Sequence, residues 1–138
     1  MKISSREWIV AWGTLTVAIL VNAAGYILDL YDRFWWFDDA VHAYTSFSLS
    51  LLLALLLYGR VLNGARTHSV LFVLAVAVLG GGIGALWEIA EWGYDQWVPE
   101  NAILGKTDTI IDLILDTIGA LAAGLLSLWM IRSSSKKS

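Results

Sequence analysis

The chain has 138 residues, of which 58% are hydrophobic and 15% charged, with eight Trp, one Pro and a formal net charge of −3. With a mean hydropathy of +0.67, it is too apolar and too sparsely charged for a soluble domain of its length. The absence of cysteine excludes disulfides, thiolate metal ligands and a cysteine nucleophile, and leaves the compartment open.

Crossing a ~30 Å hydrocarbon core takes about 20 apolar residues. Four runs meet that length, near Trp8–Leu30, Asp39–Val61, Ser69–Trp92 and Thr109–Ile131. The expected fold is therefore all-α, a polytopic membrane protein with four transmembrane helices in one bundle. A single domain covers residues 1–132, followed by a polar tail at 133–138. In the first run, Lys2 and Arg6 followed by Val21-Asn-Ala23 imitate a cleaved signal peptide. The apolar stretch continues to Leu28, past a usual signal core, so the segment reads as a retained helix. Ser46, Ser48 and Ser50 in the second run are expected to bond their own preceding turn. Gly80, Gly81, Gly82 and Gly84 in the third read as a close-packing surface for another helix, since no strand precedes them to make a phosphate loop.

Basic residues set the orientation. Lys2, Arg6, Arg60, Arg66, Arg132, Lys136 and Lys137 fall on one side, against Arg33 and Lys106 on the other. Both termini are thus expected in the cytoplasm. Tyr31, Trp35, Trp36, Tyr94 and Trp97 read as an outer interfacial belt, and Trp8, Trp12, Tyr58 and Trp129 as an inner one. His68, beside Arg66, reads as a solvated loop residue.

Acids divide as sharply. Glu7 lies inside; the other eleven lie in the outer loops or the outer halves of the helices. At 1.5 Å per residue, Glu91 and Glu88 sit roughly 6 and 10 Å below Asp95, and Asp112 and Asp116 roughly 6 and 12 Å below Asp108. His42 sits one turn below Asp38, with Asp39 adjacent, and Asn22 of the first span falls at the depth of Glu88. Each ionised group deep in a membrane helix costs about 2.5–3.5 kcal/mol on insertion scales. Such acids must face the bundle interior and have their charge reduced by protons or by a cation. Arg33 and Lys106 sit in loops and reach only the rim.

His42, Glu88, Glu91, Asp112 and Asp116 are the expected metal ligands, with Asn22, Asp38, Asp39, Asp95 and Asp108 as accessories. Four carboxylates and one imidazole form a hard, oxygen-rich set suited to a divalent metal ion, Mg, Mn, Fe(II) or Ca, and less specifically Zn. Taken singly, each acid could instead bond a neighbouring helix, and His42 could be a packing histidine. Their convergence favours a shared site. No Ser-His-Asp order, HExxH motif or Walker-type loop is present.

The blocks FDDAVHAYTSF (Phe37–Phe47), GALWEIAEWGYD (Gly84–Asp95) and TDTIIDLILDTIGALAAG (Thr107–Gly124) together resemble the YjdF-like bacterial inner-membrane proteins. More distantly they are similar to the VanZ-like proteins associated with glycopeptide-antibiotic resistance. The resemblance implies an inner-membrane location and supports the site residues, but supplies no reaction.

Three functional readings follow. The first is a metal-dependent enzyme acting on a lipid-linked or envelope substrate at the outer leaflet. The second is a proton or cation translocator, weakened by the lack of an acid in the inner half. The third is a structural module whose polar core specifies helix pairing. Expected partners are the lipid bilayer and that substrate, with no nucleic acid, and self-association stays open. A Ser135→Cys variant is expected to resist membrane-impermeant maleimide in intact cells, while Asn101→Cys reacts. The reverse labelling pattern would overturn the orientation.

Overall fold

Ser4 and Glu7 open the first helix. The Ser4 amide donates to Glu7 Oε2 at 2.5 Å, satisfying a backbone donor that the first turn leaves orphaned. The computed structural model describes residues 3–61, 69–98 and 105–135. Helix α1 spans Ser5–Ile27, and the short α2 spans Leu30–Arg33. Between them Asp29 adopts the left-handed conformation, with φ 52°, and turns the chain back on itself. Helix α3 spans Phe37–Leu56 and is prolonged by a π-helical turn at Leu57–Val61. Helices α4, Ser69–Asp95, and α5, Lys106–Ser135, complete the bundle. The four long helices are each long and apolar enough to cross a membrane.

Helix α3 is the central element. It packs on α5, α1 and α4, while α4 also packs on α5; α1 leans on α3 without a packed interface to α4. Lipid offers no hydrophobic gain between helices, so close approach depends on small residues. A Cβ added at Gly119 would collide with the Ala43 carbonyl, so α3 and α5 meet backbone to backbone there. Gly80 gives room to Ser50 and Ala120. A Cβ added at Gly82 would meet nothing within 4 Å among the described residues, so the glycine-rich run packs closely through Gly80 and Gly84 and not along its whole length.

The half of the bundle that holds the start of α1 and the end of α5 is an apolar core of Leu51, Ala54, Leu55, Phe72, Val73, Val76, Ala123, Met130 and Ile131. Glu7, 3% exposed, accepts a hydrogen bond from the Ser134 hydroxyl at 2.6 Å, which ties the start of α1 to the end of α5. Both ends of the bundle's chain therefore lie together. Trp35 and Trp97 are 87% and 89% exposed, and Trp12 and Trp129 are exposed too, as interfacial anchors should be. Tyr58 departs from the expected inner belt: it is buried, edge-on to Phe72 at 6.2 Å between ring centres. Arg66, His68 and Glu100 lie outside the described residues.

Gly119→Ala is expected to destabilise the bundle by about 1–3 kcal/mol through overpacking. Gly82→Ala should be neutral or stabilising by up to ~1 kcal/mol, from helix propensity alone. Thermal melting of the two variants in detergent checks the contrast, and equal melting would refute the close contact.

Candidate functional site

His42 is the centre of the site. It projects from the first turns of α3, where Asp38 stands one turn above it, and it is 7% exposed. Its Nε2 lies 3.8 Å from Asp38 Oδ1 and 3.9 Å from Glu88 Oε1 of α4. Its Nδ1 lies 3.5 Å from Asp116 Oδ2 of α5. A single imidazole thus faces carboxylates from three helices.

Two groups of donors meet at it. Ligand atoms of Asp38, His42 and Asp112 all lie within 4.8 Å of one another, and so do those of His42, Glu88 and Glu91. Two ligands on opposite sides of an ion with bonds of ~2.0–2.6 Å stand about 4–5 Å apart, so either group has the right span for a cation. Among the described residues, Glu88 Oε1, Asp112 Oδ1 and Asp116 Oδ2 are buried without a hydrogen-bond partner. Buried carboxylate oxygens are normally paired, because desolvation without compensation is expensive.

The local sequence explains the convergence. Spacings of three and four put Glu88 and Glu91 on one face of α4, and Asp112 and Asp116 on one face of α5. Gly84, one turn below Glu88, leaves the space that the Asp116 carboxylate occupies; a Cβ there would strike it. Ser46 departs from the expectation that it bonds its own turn. Its hydroxyl donates to the Asp116 backbone carbonyl at 2.7 Å, fixing α5 against α3 at the level of the site. Ser48 does bond the preceding turn, at Tyr44 O, 2.8 Å away. Trp87 Nε1 donates to Glu91 Oε1 at 2.9 Å, and the Thr109 side chain hydrogen-bonds Glu88.

Of the five residues expected as ligands, His42, Glu88 and Glu91 share one donor group and His42 and Asp112 the other, while Asp116 lies in neither and stands beside His42 Nδ1. Asp38, expected only as an accessory, belongs to the donor set. Asp39 stands about 100° round the helix axis from Asp38, outside both donor groups. Asp95 and Asp108, at the mouths of α4 and α5, are also outside these groups. Asn22 is a supporting residue: its Oδ1 accepts from the Tyr31 hydroxyl at 2.9 Å, which pins α2 to α1. Burial, with Tyr26 and nearby carboxylates adding to it, raises the Tyr31 phenol above its ordinary pKa, so it stays a donor. The Trp87–Glu91 and Asp38–His42 pairs both have the i,i+4 spacing that a sequence displays. The Ser46 and Thr109 contacts join different helices and carry no such mark.

A cavity of about 860 Å³ opens from the site between α1, α3 and α4. Asp38, His42, Glu91 and Asp116 line its polar end, and Val41, Leu49 and Ile83 part of its apolar wall.

Residues 2–133 match a family described as a predicted membrane protein (DUF2238), and the chain belongs to that family. It is also similar to an uncharacterized protein of Thermotoga maritima, 32% identical over 101 residues, which are 72% of this chain and 52% of that protein. The chain therefore spans about half the length of the curated relative it matches. No solved structure matches it.

Removing charge from unpartnered oxygens should relieve the folded state. In metal-free protein, Glu88→Gln combined with Asp112→Asn is expected to raise stability by on the order of 1–3 kcal/mol at neutral pH. A lower melting temperature for this variant would mean that the two carboxylates are well partnered as they stand.

Proposed function

We propose that this DUF2238 membrane protein binds one divalent cation at His42, Glu88, Glu91, Asp112 and Asp116, with Asp38 at the rim, and works as a metal-dependent enzyme. Its substrate is a lipid-linked or envelope molecule reached from the outer leaflet, in the orientation that places both termini in the cytoplasm of an inner membrane. The likeness to YjdF-like and VanZ-like proteins supports that location. The observation that carries the proposal is the set of carboxylate oxygens on Glu88, Asp112 and Asp116 buried without a hydrogen bond, two of them facing one imidazole.

Charge decides between an ion and none. Five carboxylates in a low-dielectric site repel one another strongly, and one imidazole, 3.5–3.9 Å away, is the basic group that faces Asp38, Glu88 and Asp116 among the described residues. A hard divalent ion offsets more of that charge than one imidazolium and accepts oxygen ligands at the spacing found. When bound, it supplies a polarised substrate oxygen or an acidified water. A carboxylate left outside its coordination sphere would serve as general base. Translocation is disfavoured by the floor of the site. Below Ser50 the chain packs Leu51, Ala54, Leu55 and Val76, each at most 1% exposed, and no acid continues the path through this core.

Binding to the folded bundle stabilises it by RT ln(1 + [L]/Kd), about 2.7 kcal/mol at a hundredfold excess over Kd. Chelator should therefore lower the melting temperature at neutral pH, and added Mg, Mn, Fe, Ca or Zn should restore it. Only deprotonated carboxylates ligate, so acidification should shrink the difference. Glu88→Gln with Asp112→Asn should abolish the chelator effect. A wild-type protein whose melting ignores both chelator and all five metals would refute the cation reading.

A further inference from the structure

We propose that the cavity between α1, α3 and α4 is a slot for one acyl chain of a phosphate-bearing lipid. The lipid enters sideways from the bilayer between α1 and α4, and its headgroup comes to rest at the carboxylate–His42 cluster. The headgroup assignment rests on the cation reading above, because a phosphate approaches five carboxylates only through a bound cation. The slot itself rests on separate observations.

Its length matches a leaflet. From Asp38 at the mouth to Ser50 at the floor the helix rises twelve residues, ~18 Å, close to half of a ~30 Å hydrocarbon core. The two ends differ in chemistry. Asp38, His42 and Glu91 line the outer end, while Leu49 and Ile83 line the deeper wall above the buried Ser50 hydroxyl at the floor. One side is unsealed, since α1 has no packed interface to α4. A cavity of about 860 Å³ beside lipid does not stay void, because its walls would forfeit their dispersion contacts. An acyl chain is the occupant that a membrane supplies at that depth.

Two buried groups point to the polar part of this lipid. Asp116 lines the cavity on a side chain 3% exposed, and its Oδ2 has beside it only the His42 imidazole, 3.5 Å away at Nδ1. Thr45 Oγ1 is also buried and unpartnered, although Thr117 and Ser127 both bond carbonyls of their own preceding turn. Thr45 sits three residues, ~4.5 Å of helix rise, below His42. A glycerolipid places its ester carbonyl just below its phosphate, so the Thr45 hydroxyl donates to that ester while the phosphate meets the cation.

The test reconstitutes the 138-residue chain in phosphatidylcholine nanodiscs with Mn²⁺. A phosphatidic acid carrying a diazirine on its acyl chain is compared with a diacylglycerol carrying the same chain. Photolabelling by phosphatidic acid should concentrate on Leu49, Ile83 and Ala90 and exceed that by diacylglycerol severalfold. Leu49→Trp, which fills the slot, should remove the excess while Mn²⁺ binding persists. Thr45→Val, which keeps shape and loses the donor, should weaken phosphatidic acid labelling by about threefold to tenfold, the equivalent of one hydrogen bond. Labelling spread evenly over the four helices, or equal for both lipids, overturns the proposal, as does full labelling of Thr45→Val. Confined labelling by both lipids equally, with no Mn²⁺ bound, overturns the headgroup assignment together with the cation reading. Bound Mn²⁺ with uniform labelling overturns the slot and leaves the cation site standing.

Discussion

Mutual repulsion among Asp38, Glu88, Glu91, Asp112 and Asp116 around one imidazole is the constraint on which the outer half of the bundle depends. In water the high dielectric weakens such repulsion and salt screens it over about 8 Å; inside a membrane protein neither relief is available. The fold brings them together anyway. Gly84 clears the space for Asp116, Ser46 locks the Asp116 backbone to α3, and Gly119 lets α3 and α5 meet at their backbones. Each of these devices narrows the distance between groups that would otherwise separate. Among the described residues, this cluster is where the fold works most against its own electrostatics, which makes it the candidate site.

The molecule is divided along the membrane normal. The half that holds the start of α1 and the end of α5 is an apolar core closed by Leu51, Ala54, Leu55, Phe72 and Val76, and pinned at its end by Glu7 and Ser134. That half supplies stability without chemistry. The other half has a polar cluster and a cavity in place of a closed core, and its helices are held by the Tyr26–Tyr31–Phe37 ring contacts and by hydrogen bonds such as Tyr31 to Asn22. This arrangement is that of a rigid base carrying a cup.

Much of this was legible in the sequence for a simple reason. Transmembrane helices must satisfy their backbones internally, so hydropathy and length alone place four spans. Acids at spacings of three and four then reveal which face of α4 and of α5 turns inward, and Glu88, Glu91, Asp112 and Asp116 follow. What was not legible joins separate helices. Nothing in the spacing around Ser46 says that its hydroxyl leaves its own turn for the Asp116 carbonyl. Tyr58 reads as an interfacial anchor because its position near the span end is visible, while Phe72, which buries it, lies on another helix. The cavity escaped for the same reason, since it depends on α1 resting on α3 and leaving α4. The Ser4–Glu7 pairing, by contrast, has the S-x-x-E spacing of a capping box, a signal present in the sequence that passed unused.

The most direct test of the account is to locate the ion itself. Crystals of the wild-type protein grown with Mn²⁺ and measured at the manganese edge should give an anomalous peak beside His42. At least three carboxylate oxygens from Glu88, Glu91, Asp112 and Asp116 should lie within ~2.0–2.6 Å of it. A well-ordered site with no anomalous peak, in which the carboxylates hydrogen-bond to His42 and to one another through shared protons, would contradict the cation reading and leave a proton-bonded polar core in its place.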